Sequence, residues 1–148
     1  MACNKELKIS HLLEETLSYW DQAGERPYEV LREQGLYEFF IAQLSKQSLV
    51  IEGKIYRGTK RHFQLEIGET LLYTYPSSWT YDLEIAHRFV DGEANQVILV
   101  LSSIQPIKAI ENSQNSYGED EVIIHPITLR VINKYRENEF TILEVIPD

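Results

Sequence analysis

Residues 118–124 read Gly118-Glu119-Asp120-Glu121-Val122-Ile123-Ile124, three acids at the mouth of an apolar strand. Side chains alternate faces along a strand, so Glu119 and Glu121 point the same way. Two carboxylates forced together divide roles, one staying ionised while the other handles protons. Taken alone, the segment also suits a solvated acidic loop.

Working outward, Asn112 to Gly118 is polar and turn-rich, and the stretches on either side read as short strands. The strand candidates are Leu49 to Tyr56, Thr70 to Tyr75, Gln96 to Ser102, Glu121 to His125, Ile127 to Arg136 and Glu139 to Ile146. One helical segment interrupts them, Asp82 to Val90, with Ile85, Ala86 and Phe89 assigned to one face. Before Gln47 the spacing is helical: Ile9, Leu13, Thr16, Leu17 and Trp20 recur every three or four residues, with Ser10 as a cap near the start. Asp21 to Arg26 reads as a turn and Pro27 as a first helical position. A second stripe, Val30, Tyr37, Phe40, Ile41 and Leu44, follows, with Gly35 as a break. Residues 1–46 therefore form a helical part and 47–148 a mainly β part of one domain. The order predicts an α+β fold of two packed, mainly antiparallel sheets with the N-terminal helices at one side.

Composition narrows the function classes. The chain has 148 residues, 43% hydrophobic and 25% charged, with a formal net charge of −9. These proportions exclude a disordered or collagen-like chain, and the length suffices for a core without covalent staples. The acidity is even: 5 basic and 8 acidic groups in residues 1–50, 9 and 15 in the remainder. A surface of that sign is repelled by phosphate backbones, which disfavours generic nucleic-acid binding. Lys54, Arg57, Lys60 and Arg61 are a local exception suited to an anionic ligand or to a solvated strand end. Cys3 is the only cysteine, so a disulfide framework and a cysteine zinc site are both excluded. No apolar run reaches the roughly 20 residues of a membrane span, and the first residues lack the pattern of a secretory signal. A cytoplasmic setting is the expectation. His11, His62, His87 and His125 have no metal-ligand spacing and are read as structural or surface groups.

Two further segments bear on chemistry. Ile55-Tyr56-Arg57-Gly58-Thr59 places an arginine at a strand end, followed at once by glycine. Ser78-Trp79-Thr80 puts two hydroxyls one residue apart ahead of the helix carrying Ala86 and Phe89, an arrangement that helix capping also accounts for.

In their order and spacing, Arg57, Ser78-Trp79-Thr80 and Glu119-Asp120-Glu121 resemble the Arg…Ser-x-Ser…Glu-x-Glu signature of the arginine-specific mono-ADP-ribosyltransferases. The resemblance covers residues 50–148 and is nearest to the small transferases of large bacteriophages and similar bacterial effectors. Ala86 and Phe89 fall at the family's offsets, and Leu129 to Ile132 with Tyr135 to Val145 looks like its closing hairpin. The chain departs from the pattern at Trp79, where Thr is usual, and at Thr80, where Ser is usual. It departs again at Ser116, where an aromatic often stands, with Tyr117 one place later. An arginine that some members carry shortly after Phe89 is missing.

The resemblance implies transfer of ADP-ribose from NAD to an arginine of a target protein, with nicotinamide released and no metal. On it, Arg57 would clamp the pyrophosphate and Gly58 would approach the nicotinamide amide. Thr80 belongs to the NAD-binding motif, and Phe89 would pack on the nicotinamide ring. Glu121 would stabilise the charge on the ribose, Ser78 would hold Glu121, and Glu119 would engage the acceptor. A phage host modifier, toxin or effector is the implied role, with an immunity protein or antitoxin as a further partner. The same fold acting on nucleic acid or as an NAD glycohydrolase, and a non-catalytic NAD-pocket module, are the alternatives. A glycosidase is disfavoured, because its two acids normally flank the sugar from separate elements.

Overall fold

The computed structural model describes residues 4–24, 26–92, 95–112 and 120–148. Helices α1 (Asn4–Gln22), α2 (Pro27–Glu33) and α3 (Tyr37–Ser45) come first, and Pro27 opens α2 as expected. Gly35 ends α2 in the left-handed region (φ 71°). Its N–H donates to the Arg32 carbonyl and that of Leu36 to Leu31, closing a Schellman motif that only glycine enters without strain. The cap assigned to Ser10 is not there, because α1 already starts at Asn4 and Ser10 lies in its interior.

Eight strands follow among the described residues: β1 (Ile55–Thr59), β2 (Thr70–Tyr73), β3 (Ser77–Thr80), β4 (Val97–Leu101), β5 (Ala109–Glu111), β6 (Glu121–Ile124), β7 (Ile127–Glu137) and β8 (Phe140–Pro147). A short helix, α4 (Leu83–Arg88), lies between β3 and β4. The first strand begins later than the sequence suggests, since Gly53 (φ 81°) turns the chain and leaves Leu49 in a lone bridge to Ile107. Arg57 is thereby central in β1.

All eight strands join one hydrogen-bonded sheet in the order β2-β7-β8-β4-β1-β3-β6-β5. Every pairing is antiparallel except β4 with β8. The two layers foreseen from sequence are the two halves of this sheet. Leu71 and Leu129 from one end share a core with Trp79, Ala109, Val122 and Ile124 from the other, so the sheet curls over a common interior. The halves meet at a weak seam: β1 pairs with β4 along its length, from Ile55↔Leu101 to Thr59↔Val97, but with β3 only at Tyr56↔Thr80.

Period-two alternation sorts each strand between cores. In β4, Val97, Leu99 and Leu101 enter the interior between the halves, while Ile98 and Val100 pack under α4 with Ala86 and Val90. In β6, Val122 and Ile124 face that interior and Ile123 faces the helical cluster of Leu17, Trp20, Leu31, Phe40 and Leu44. Glu121 shares the parity of Ile123, so it leaves the strand toward the N-terminal helices.

α4 is seated directly on β1. A Cβ at Gly58 would stand 2.1 Å from the Ala86 carbonyl oxygen and 3.3 Å from Phe89 Cβ. Gly58→Ala must therefore displace the helix backbone, and a loss of about 1–3 kcal/mol is expected from overpacking of this kind. Urea denaturation of the two proteins measures it.

Candidate active site

Glu121 is only 5% exposed, although it is a carboxylate. Burial of such a group is tolerated when donors replace water, and among the described residues three side chains do so. Ser78 Oγ and Trp20 Nε1 (3.1 Å) both donate to Oε2, and Asn112 Nδ2 donates to Oε1 at 2.7 Å. The donors come from β3, from α1 and from the residue after β5. Register accounts for Ser78 and Thr80: in the antiparallel pair Ser78 lies opposite Ile123 and Thr80 opposite Glu121, all on the helix-facing side. The intervening Trp79 points into the main core, 2% exposed, with its indole N–H on Ser77 Oγ at 2.8 Å. A tryptophan at this motif position is thus a core residue of the curled sheet.

Arg57 reaches the same motif from β1. Its Nη1 donates to the Ser78 carbonyl at 2.8 Å and its Nε to the Tyr73 hydroxyl at 3.2 Å, with Cζ 5.4 Å from the Tyr73 ring centre. One residue, Ser78, therefore ties the arginine to the buried carboxylate: the main chain binds the first and the side chain the second. Arg61 and His62 lie nearby, and His62 packs edge-on to Tyr73. Burial, then the charges of Arg61 and Arg57, push the His62 imidazole below its ordinary value. The β1 side of the site is cationic and the Glu121 side anionic.

Thr80 is buried at 4%, and its Oγ1 accepts from the Asp82 N–H at 3.1 Å. Helix capping falls to Asp82, whose Oδ1 accepts from the Glu84 N–H at 2.9 Å. The hydroxyl motif is thus not the cap of α4. Phe89, expected on one face of this helix with Ile85 and Ala86, stands at the C-cap with 62% of its surface exposed, whereas Ile85 and Ala86 are buried. That leaves an aromatic ring outside the core, with its Cβ beside Gly58. Gly58 itself is held close to α4. Glu119, Gly118, Ser116 and Tyr117 lie outside the described residues.

Sequence reasoning missed Trp20, Asp21 and Asn112. Trp20 reads as one more apolar position of a helical stripe, Asp21 as the start of a turn and Asn112 as the edge of a polar loop. No local signal marks them, because Trp20 meets Glu121 across 101 positions and Asp21 meets Asn112 across 91. Asp21 Oδ1 accepts from the same Asn112 Nδ2 at 2.8 Å, which brings a second carboxylate beside Glu121. Burial, then the Glu121 charge, raise the Asp21 carboxyl above the ordinary aspartate value, against the opposing pull of the Asn112 hydrogen bond.

Among the described residues no group of histidine, cysteine and carboxylate side chains could hold a metal, and no helix is long and apolar enough to cross a membrane. The sequence matches no family model and no curated protein. Solved structures do share the fold. Vis toxin, an ADP-ribosyltransferase from Vibrio splendidus, is 22% identical with a TM-score of 0.59, over 90% of this chain and 66% of that one. The chain thus spans just under two thirds of the length of Vis. C3larvin toxin, an ADP-ribosyltransferase from Paenibacillus larvae, matches the whole chain with 97% of its own length, at 13% identity and a TM-score of 0.59. Exoenzyme S from Pseudomonas aeruginosa, solved with human 14-3-3 protein beta and bound to carba-NAD, is 16% identical with a TM-score of 0.56, over 91% of this chain and 66% of that one. The chain has the fold of the bacterial ADP-ribosyltransferases.

The Asp21 carboxyl yields a signed expectation. Its value is raised in the folded state, so its favourable contribution is complete below the unfolded-chain value and is lost as pH rises through the folded one. Asp21→Asn keeps an acceptor oxygen for Asn112 and removes the charge. The variant should be more stable than the parent near neutral pH, with the gap closing toward about pH 3, below the ordinary aspartate value. Thermal midpoints across that range check it.

Proposed function

We propose that this protein is a mono-ADP-ribosyltransferase that moves ADP-ribose from NAD to an arginine of a target protein and releases nicotinamide. The observation that carries this is the buried Glu121 carboxylate held by Ser78, with Arg57 tied to the same residue, in a fold shared with bacterial ADP-ribosyltransferases.

The chemistry fits those groups. NAD brings a pyrophosphate, and Arg57 supplies a guanidinium whose N–H groups match phosphate oxygens. Close packing of Gly58 on α4 keeps that stretch of β1 without a side chain, and the exposed Phe89 ring next to it offers an apolar face to the nicotinamide. As the ribose–nicotinamide C–N bond breaks, its electron pair stays with the nicotinamide nitrogen and neutralises the pyridinium. Positive charge builds on the ribose. A carboxylate already desolvated and fixed stabilises that charge without reorganising, which is the role we give Glu121. The acceptor nitrogen then bonds to the ribose C1′ and must lose a proton. A guanidinium stays protonated at neutral pH and is a poor nucleophile, so a second carboxylate has to orient it and take that proton. Glu119 has this part by its place two residues before Glu121.

Arginine as acceptor is supported by that Glu-x-Glu spacing and by Vis, which has been solved in complex with agmatine, a guanidinium compound. The toxins among the structural relatives support an effector or toxin role; a phage host modifier is the other role that the motif resemblance implies.

Purified protein incubated with labelled NAD and a bacterial lysate, beside Glu121→Gln, tests the reading. Labelled protein bands that vanish in the variant and yield to an arginine–ADP-ribose hydrolase are the expected result. Label in nucleic acid would move the acceptor, and binding of NAD without nicotinamide release would leave a non-catalytic pocket. Glu119→Gln should lose transfer to arginine while still releasing nicotinamide; unimpaired arginine transfer would remove Glu119 from its role. Arg57→Ala should weaken NAD binding by tenfold or more, since a hydrogen bond to a charged group is worth about 1.5–3 kcal/mol. Calorimetry reads that directly.

A further inference from the structure

We infer that Trp20, Asn112 and Asp21 are positioning residues that fix the orientation of the Glu121 carboxylate, so that the end of α1 takes part in the reaction. The inference rests on the transferase reading above and assigns duties which that reading leaves unassigned.

A glutamate's last torsion is broad and roughly two-fold, so one donor such as Ser78 does not fix the carboxylate plane. Donors on both oxygens do. Trp20 holds Oε2 and is itself immobile, 4% exposed with its ring 5.5 Å from that of Phe40. An indole N–H only donates, so this contact cannot invert.

Asn112 holds Oε1, and its main-chain N–H also donates to the Glu121 carbonyl at 2.9 Å. The two residues therefore face each other through backbone and side chain alike. An asparagine amide could in principle turn its oxygen inward. Here Nδ2 lies within 2.8 Å of both Asp21 Oδ1 and Glu121 Oε1. An amide NH2 has two hydrogens, and two carboxylates take one each. Turning the amide would set its oxygen against two acceptors. Asp21 thereby selects the donating orientation of Asn112, and Asn112 selects that of Glu121. An unfavourable approach of two carboxylates is retained because the amide bridges them.

The test follows nicotinamide release from NAD, which needs no acceptor protein, in wild type, Trp20→Phe, Asn112→Ala, Asp21→Ala and Asp21→Asn. Trp20→Phe keeps the ring and removes the donor. Misplacing a reacting group by a fraction of an ångström costs about tenfold or more in rate. Trp20→Phe, Asn112→Ala and Asp21→Ala should each lose that much in kcat, with the KM for NAD within twofold of wild type. Asp21→Asn, which keeps the acceptor oxygen, should recover most of it.

A second readout is independent of turnover. The chain has two tryptophans, hence two indole N–H resonances. Glu121→Gln should move one of them, and Asn112→Ala should move the same one, because it lets the carboxylate turn beneath Trp20. Wild-type kcat in both Trp20→Phe and Asn112→Ala, a change confined to KM, or an indole resonance that ignores Asn112→Ala would each overturn the inference. A wild-type protein that releases no nicotinamide would instead overturn the function, and this role with it. The resonances would then still report whether these side chains hold the carboxylate.

Discussion

The hydrogen bonding of Glu121 is the constraint on which the rest of the site depends. An ionised carboxylate taken out of water costs several kcal/mol unless donors replace its hydration. Those donors come from places far apart in the chain: Ser78 from β3, Trp20 from α1 and Asn112 from the end of β5. Each element must be in place before the charge is satisfied. The carboxylate therefore joins the helices to the sheet at one point, and that point is where we place the chemistry. Removing a donor leaves a buried charge short of partners, a larger loss than the worth of one neutral hydrogen bond.

The seam beside it has a different physical basis. β1 pairs with β4 along its full length and with β3 at a single position. The sheet thus stays continuous while its halves turn over a shared interior. At that junction a hydrogen bond from a guanidinium to the Ser78 carbonyl stands in for further ladder bonds. A cation at the weakest pairing of a sheet suits anion binding, because its remaining N–H groups are not required by the strands. Gly58 serves the same strand from the other side, letting α4 lie against β1 with Phe89 at its exposed C-cap.

How far the sequence revealed this depends on the range of each interaction. The helices-then-strands order, the apolar run that becomes β4, the strands β7 and β8 and the break at Gly35 all follow from local period and turn chemistry, and the structure has them. The resemblance implies that Ser78 holds Glu121, and the two do meet; the β3–β6 ladder that brings them together has no counterpart among the strands read from the sequence. Three further features were not legible. Continuity of the sheet depends on one cross-strand pair, Tyr56↔Thr80, which no periodicity encodes. Exposure of Phe89 depends on α4 ending at Arg88, two residues short of the expected end, which its apolar stripe does not show. Trp20, Asp21 and Asn112 act across long separations, and in sequence they look like a stripe residue, a turn and a loop edge.

The aromatic groups around Arg32 show how stability and placement are divided. Tyr28 of α2 stacks on Tyr75 with ring centres 3.9 Å apart and planes 4° from parallel, and the Arg32 guanidinium lies 5.0 Å from the Tyr75 ring centre and 4.5 Å from that of Tyr37. Tyr75 is three residues before Ser78, so α2 and α3 meet the entry to β3 here while α1 meets the opposite end of β6 through Glu121. Arg32 is exposed, and cation–π contacts at exposed sites are weak because water screens the charge. Burying Leu31, Phe40 and Leu44, each at 0% exposure, contributes about 1.5–3 kcal/mol apiece. The apolar cluster therefore holds the helices on the sheet. The polar and aromatic contacts are too weak to do so but are directional, and they decide where the helices rest. The four-residue strands β3 and β6, which carry Ser78 and Glu121, are thus contacted by the helices at both ends of their ladder.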